Sequence, residues 1–322
     1  MKFQWLLVFG CLLLTACSDT PQENADADSG QAQEQTAPAN ENAAAEYKSA
    51  ETDKAETVEP KSPEKEALAP ADRYAAAQAK FDSEMKKFMT AFRALSEEER
   101  KPFIDENYPK PEKYADEFMK LAEEYPDSEV AFDSLYWVVS KVRSGEVADR
   151  AYEKMFADYI ENESFKNVCM NLSYSQPSPL VESRLNMLIE KSPHDSVKAS
   201  ATFALASYLS RLGRTREMIS EDSEIAEMYD EETVNYLNER EIEPMAIEAL
   251  YQTLIADYPD LKPREGSKRD FKSMAESALF EINNLAIGMV APEIEGDDLD
   301  GVSFKLSDYR GKVVVLDFWG DW

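Results

Sequence analysis

Apolar and polar positions fall into successive patterns along the chain. The first is a continuous apolar run, Trp5-Leu6-Leu7-Val8-Phe9-Gly10-Cys11-Leu12-Leu13-Leu14, about half the ~20 residues that a helix needs to cross a bilayer. Next comes a stretch from Ser18 to about Pro70 with no apolar period, rich in Ala, Glu, Asp, Gln, Asn, Ser, Thr and Pro. From Ala71 onward a helical period sets in: Phe81, Met85, Phe88, Met89 and Phe92 recur three and four apart, the mark of one buried helix face. After Gly288 the period drops towards two. Val302 to Leu306 alternates like a strand, and Val313-Val314-Val315-Leu316-Asp317-Phe318-Trp319 is a β-branched and aromatic run suited to a central, doubly covered strand.

Within the helical stretch, Ser96-Glu97-Glu98-Glu99 has the form of a capping box. Three later segments share one plan of helix, break and helix. Phe118, Leu121, Ala122 and Tyr125 precede Pro126-Asp127-Ser128, with Ala131, Leu135, Val138 and Val142 after it. Leu185, Leu188 and Ile189 precede Ser192-Pro193-His194-Asp195-Ser196, with Phe203, Leu205, Leu209 and Leu212 after it. Leu250, Leu254 and Ile255 precede Tyr258-Pro259-Asp260, with Ala275, Leu279 and Ile282 after a basic loop. Proline disfavours helical geometry in the residue before it, and Asp or Ser just beyond can cap the next helix. The separations 193 − 126 = 67 and 259 − 193 = 66 are about twice the 34-residue period of tetratricopeptide units. Residues 71–287 therefore resemble degenerate tetratricopeptide-like hairpins, although the Trp-Leu-Gly pattern of the first helix is missing; an irregular helical bundle is the alternative. The expected fold class is mainly α, a solenoid or bundle, followed by an incomplete thioredoxin-like α/β portion. The concave face of a solenoid takes peptides or partner proteins, and a plain structural spacer is the competing role.

Charge narrows the function classes. The 322 residues hold 64 acidic and 35 basic side chains, a net charge of −29, which argues against nucleic-acid binding. Residues 18–70 carry 13 acidic and 4 basic residues, 13 − 4 = 9 of those negative charges. Such a composition buries too little surface to offset its ordering entropy and predicts a disordered tether. With one histidine and three cysteines a zinc cluster or haem pair lacks ligands. No GxGxxG or GxxxxGK[ST] run occurs, so no nucleotide loop is expected and no cofactor is called for. His194, in a helix break, reads as a cap or surface residue. Cys169, alone in Phe165–Leu172, reads as a small buried hydrophobe. The acidic run Glu217–Glu243 lacks the Asp-x-Asp-x-Asp-Gly calcium spacing and reads as a solvated helix face. The basic residues Lys262, Arg264, Lys268 and Arg269 lie in the loop of the third hairpin, where acidic neighbours of the same body could meet them, and no partner is assigned to them.

Leu14-Thr15-Ala16-Cys17 closes the first apolar run and resembles the bacterial lipobox. The resemblance implies cleavage before Cys17, acylation of Cys17, and a membrane partner reached through that anchor. Residues 1–17 are then a signal peptide, and localisation is the cell envelope facing the periplasm. Ser18, in place of the Asp usual for inner-membrane retention, leaves inner or outer membrane undecided.

The last residues carry a second resemblance. Gly288 with Ala291-Pro292, the Asp300-Gly301 turn, Leu306-Ser307-Asp308-Tyr309-Arg310-Gly311-Lys312 and Leu316-Asp317-Phe318-Trp319-Gly320-Asp321-Trp322 together resemble the start of a redoxin domain of the thioredoxin superfamily. The resemblance implies a thiol-disulfide oxidoreductase or peroxiredoxin-like activity, with Phe318, Trp319 and Trp322 flanking a nucleophile that in the family directly follows the equivalent of Trp322. That chemistry needs a thiolate of lowered pKa and a second, resolving thiol, and residues 288–322 contain neither. No catalytic residue is therefore assigned. Three readings stay open: a gene fragment, a UGA codon for selenocysteine read as stop after Trp322, or a lipid-anchored scaffold that works without a nucleophile.

Overall fold

The structure, a computed structural model, describes residues 68–319. The signal-peptide segment with Cys17, nearly all of the acidic segment 18–70, and Trp322 lie outside the described residues. The chain there is mainly helical, with twelve α-helices and one two-stranded sheet among the described residues. We number them in chain order: α1 Pro70–Arg93, α2 Glu97–Asn107, α3 Glu112–Glu124, α4 Glu129–Lys141, α5 Glu146–Asp158, α6 Phe165–Ser173, α7 Pro179–Lys191, α8 Asp195–Glu221, α9 Ser223–Ala226, α10 Glu231–Glu239, α11 Pro244–Asp257 and α12 Phe271–Asn284. Strands β1 (Glu295–Asp297) and β2 (Ser303–Lys305) and a 3₁₀ turn, Leu306–Tyr309, follow. Among the described residues no helix is long and apolar enough to cross a membrane.

Local chemistry accounts for where the helices start. At α2 the Glu99 carboxylate accepts from both the backbone N–H (3.0 Å) and the hydroxyl (2.7 Å) of Ser96, the expected capping box. Pro126 breaks the chain between α3 and α4, and the Ser128 hydroxyl accepts from the Val130 N–H. At the second break the cap differs from expectation: His194 is the first residue outside α8 and contributes no side-chain cap. Its own N–H is instead taken by the Ser192 hydroxyl at 3.3 Å. At the third break the chain runs through a longer loop before Asp270 caps α12, its carboxylate accepting from Ser273 N–H at 2.8 Å.

Helices pack mostly on near neighbours in the sequence. α1 rests on α3 and α4, α3 and α5 on α4, α6 and α7 on α8, and α11 on both α8 and α12. The 27-residue α8 is the hub: Val197, Ala201, Ala204, Leu205, Tyr208 and Leu212 are buried along it. Ala199 and Ala206 are buried on it too, small side chains among the larger ones. At the other end Phe118 of α3 stacks on Trp137 of α4 with ring centroids 3.9 Å apart, and Phe81 of α1 meets Trp137 edge-on at 5.3 Å. Such aromatic pairs add roughly 0.5–1.5 kcal/mol beyond the burial of their area. The expected face of α1 is visible here, with Phe81 and Phe88 buried and Met85, Met89 and Phe92 partly so.

One expectation is overturned. The composition of Val313–Trp319 predicts the first core strand of an α/β domain, yet these residues form no strand among the described residues and most stand in solvent, Val313 at 98% and Val315 at 89% exposure. A strand exists only as part of a ladder. The described residues offer no second strand to this run, so its β-branched composition alone cannot make it one.

Candidate functional site

The segment singled out by its sequence, residues 288–319, is built around the β1–β2 hairpin. The strands pair antiparallel in the register Glu295↔Lys305, Gly296↔Phe304 and Asp297↔Ser303. Gly296 faces the Phe304 ring, whose carbons lie 3.9 Å from where a Cβ would stand. The connecting loop is organised by Asp298. Its carboxylate accepts from the N–H groups of Asp300 and Val302, both at 2.9 Å, while its carbonyl accepts from Gly301 N–H at 3.0 Å. Gly301 takes φ +78°, a conformation that costs a residue with a Cβ; this is the physical content of the expected Asp-Gly turn. Across the ladder Lys305 pairs with Glu295.

After β2 the chain tightens into the 3₁₀ turn. Leu306 N–H donates to the Ile294 carbonyl at 2.9 Å, Ser307 N–H to the Glu293 carboxylate at 2.9 Å, and Lys305 N–H to the Asp308 carboxylate at 2.9 Å. The hydrogen bonds from Ser307 hold the Glu293 carboxyl below the usual carboxylate range. Gly311, at φ +82°, then turns the chain into Val313–Trp319. Phe318 is 79% and Trp319 81% exposed, so two of the three aromatic residues expected to flank the nucleophile are solvent-facing side chains on an extended backbone.

The described thiol lies far from any such role. Cys169 on α6 is fully buried, its sulfhydryl lies 3.2 Å from the Phe165 carbonyl, and burial pushes its pKa well above the usual thiol value. A thiol in that state stays protonated and is a poor nucleophile, in keeping with its reading as a core residue. His194 places Nε2 2.9 Å from the Glu161 carbonyl and serves the junction between α8 and the loop after α5. Asp230, in the acidic run, caps α10 by accepting from Thr233 N–H at 2.7 Å. In the basic loop, Arg269 donates to the Ser273 carbonyl (2.7 Å) and the Ser277 hydroxyl (2.6 Å), while the Lys262 ammonium acts on the Asp270 carboxylate.

Sequence reading missed the main polar cluster of the helical body. Glu182 of α7 accepts from the Tyr236 hydroxyl (2.6 Å) and from Arg240 Nε (2.9 Å) and Nη2 (2.8 Å). Its side chain is 16% exposed. Burial alone would raise the Glu182 pKa, but the hydrogen bonds from Arg240 and Tyr236 outweigh it and hold the carboxyl below its ordinary value. Nearby, Tyr208 accepts from Ser178 N–H (2.7 Å) and donates to the Ser178 carbonyl (3.0 Å), and Arg211 donates to the carbonyls of Ser173 and Ser175. Tyr208 and Arg211 fasten the α6–α7 loop to the hub helix, and Glu182 ties α10 to α7. Their hydrogen bonds run among the cluster's own side chains and the backbone beside them, so it reads as a structural clasp.

Comparison with known proteins finds a likeness over a short stretch of the chain. Over 38 residues the chain is 50% identical to the thiol-disulfide oxidoreductase ResA of Geobacillus thermodenitrificans and 53% identical to that of Geobacillus kaustophilus. Each match takes in 12% of this chain and spans 22% of the relative's length. A short stretch of the chain is therefore redoxin-like. No family model matches the chain, and no solved structure does.

Proposed function

We propose that this chain belongs to an envelope-anchored thiol-disulfide oxidoreductase, in which residues 288–322 form the opening of the redox domain and the helical body stands between that domain and the membrane. The observation that carries the reading is the identity of 50% and 53% to two ResA proteins over 38 residues. In this reading the nucleophile follows Trp322, and Phe318, Trp319 and Trp322 flank it in the sequence. A thiolate there attacks one sulfur of a substrate disulfide and expels the other as a thiolate; the resolving thiol then releases the reduced substrate and leaves the enzyme as its disulfide. Anchoring rests on Leu14-Thr15-Ala16-Cys17: acyl chains on Cys17 contribute ~0.8 kcal/mol per buried methylene, enough for permanent attachment when more than one is present. The packing of helices on their sequence neighbours supports a tetratricopeptide-like body, whose role is to dock a protein or peptide.

The test uses the natural protein isolated from its own membranes, at its natural ends. It reduces insulin disulfides when a dithiol is supplied, and it takes up an alkyne-labelled fatty acid that the Cys17→Ser variant does not. Labelling without disulfide reduction overturns the redox reading in favour of a lipid-anchored scaffold. Absence of label in the natural protein overturns the anchor.

A further inference from the structure

We propose that Glu293 is a positioning residue of the redoxin-like segment: its carboxylate ties the chain ahead of β1 to the turn after β2 and so sets the direction in which Val313–Trp319 leaves the hairpin. The proposal rests on the redox reading above for its functional consequence, and on geometry alone for the clasp itself.

The β ladder closes at Glu295↔Lys305, and one further backbone bond, from Leu306 N–H to the Ile294 carbonyl, extends it. The next pairing would set Glu293 against Ser307. Hydrogen-bonded and non-bonded pairs alternate along an antiparallel ladder, so the Ser307 N–H points away from the partner strand and has no ladder carbonyl to meet. The Glu293 carboxylate takes this donor at 2.9 Å. The other carboxylates of the segment act over shorter spans. Glu295 pairs with Lys305 inside the ladder, Asp298 closes its own loop, and Asp308 reaches back only to Lys305 within its own turn. Glu293 alone among them joins residues 14 apart, from before the hairpin to after it.

Through the turn the path of the chain is held by backbone bonds. Arg310 N–H bonds the Ser307 carbonyl and Lys312 N–H the Tyr309 carbonyl, Gly311 holds φ +82°, and Val313 comes next. Ser307 is thus the last point of the turn that is tied to the chain ahead of the hairpin on the path to Phe318 and Trp319. Releasing it lets the whole exit rotate about the end of β2, and small misplacements at a reacting centre are expensive in rate.

The experiment compares the natural full-length protein with its Glu293→Ala and Glu293→Gln variants by residue-resolved amide hydrogen exchange and by steady-state insulin-disulfide reduction. In Glu293→Ala, Ser307 N–H exchanges on the order of three- to tenfold faster, while Lys305 N–H, held by Asp308, is unchanged. The same variant loses about threefold or more in kcat with KM unmoved, an effect on orientation in place of binding. Glu293→Gln keeps an acceptor oxygen and restores most of both. Unchanged Ser307 exchange in Glu293→Ala overturns the clasp. Faster exchange with unaltered kcat overturns the positioning role. A wild-type protein with no reductase activity defeats the redox reading, and Ser307 exchange still decides the clasp.

Discussion

The helical body and the terminal segment are made from similar residues and solve burial in opposite ways. Residues 70–284 place Phe, Leu, Val and Ala at helical spacing, and each helix finds its neighbour within the next few elements. The terminal segment is at least as apolar at Val313–Trp319, yet the last residue packed against the core is Ile282, and no residue from Gly288 to Trp319 is buried. Helices satisfy their backbone internally and need only a face to bury. A strand needs partners for its backbone before its side chains can be buried. The helices therefore bury their apolar faces on one another, whereas the terminal run has no strand partner among the described residues.

The largest expected effect comes from emptying the body's aromatic centre. Phe118 is fully buried, stacked on Trp137 and edge-on to Tyr74 at 5.6 Å. Phe118→Ala removes that stack and leaves a cavity, costing about 3–5 kcal/mol, measured as a loss of unfolding free energy in urea. Val315→Ala in the terminal run, at 89% exposure, changes the same quantity by less than about 0.5 kcal/mol. Equal costs for the two would erase the contrast between the regions.

A second prediction sharpens how the body is fastened. Glu182→Gln keeps the size of the side chain but removes the charge that pairs with Arg240 and receives Tyr236. Arg240 is 38% exposed, so solvent screening limits the loss to roughly 1–2 kcal/mol. The sign with pH is fixed by the direction of the shift: Glu182 is held below its ordinary value of 4.5. Its contribution is whole above that value and disappears as pH falls through the lower folded value. Glu182→Gln therefore narrows its gap to the wild type as acid titrates the wild-type carboxylate. A stability difference that stays constant from about pH 6 to about pH 3 contradicts the clasp.

How much of this was legible in the sequence depends on the range of the interactions. The α1 face, the capping box at Ser96 and Glu99, the break at Pro126 with its Ser128 cap, and the turn at Asp300-Gly301 were readable because each rests on residues within a few positions of one another. The clasp at Glu182 was not, since its partners lie 54 and 58 residues on and an acidic run around Tyr236 looks like any solvated helix face. The terminal run misled for a different reason: its composition reports what a strand would tolerate, and only a partner decides whether one forms. Glu293 fell between these cases. Its neighbours Ala291-Pro292 were part of the recognised pattern, but nothing in the residue itself signals that its carboxylate reaches Ser307.

The smallest expected effect is also the most direct test of the separation between the regions. Removing residues 288–322 takes away the hairpin, the 3₁₀ turn and the exposed run together. None of these contributes a buried side chain to the body's core, so the midpoint of thermal unfolding of the helical body should move by less than about 2 °C, the scale of a surface change of a few tenths of a kcal/mol. Solubility should move further, and upward, because the truncation removes a flat apolar run with unpaired backbone groups, the kind of segment that drives edge-to-edge association. A fall of more than about 5 °C in the unfolding midpoint would mean that the terminal segment stabilises the body by roughly 1 kcal/mol or more. The two regions would then form one cooperative unit, and a variant that loosened the hairpin at Glu293 would also weaken helices that it does not touch.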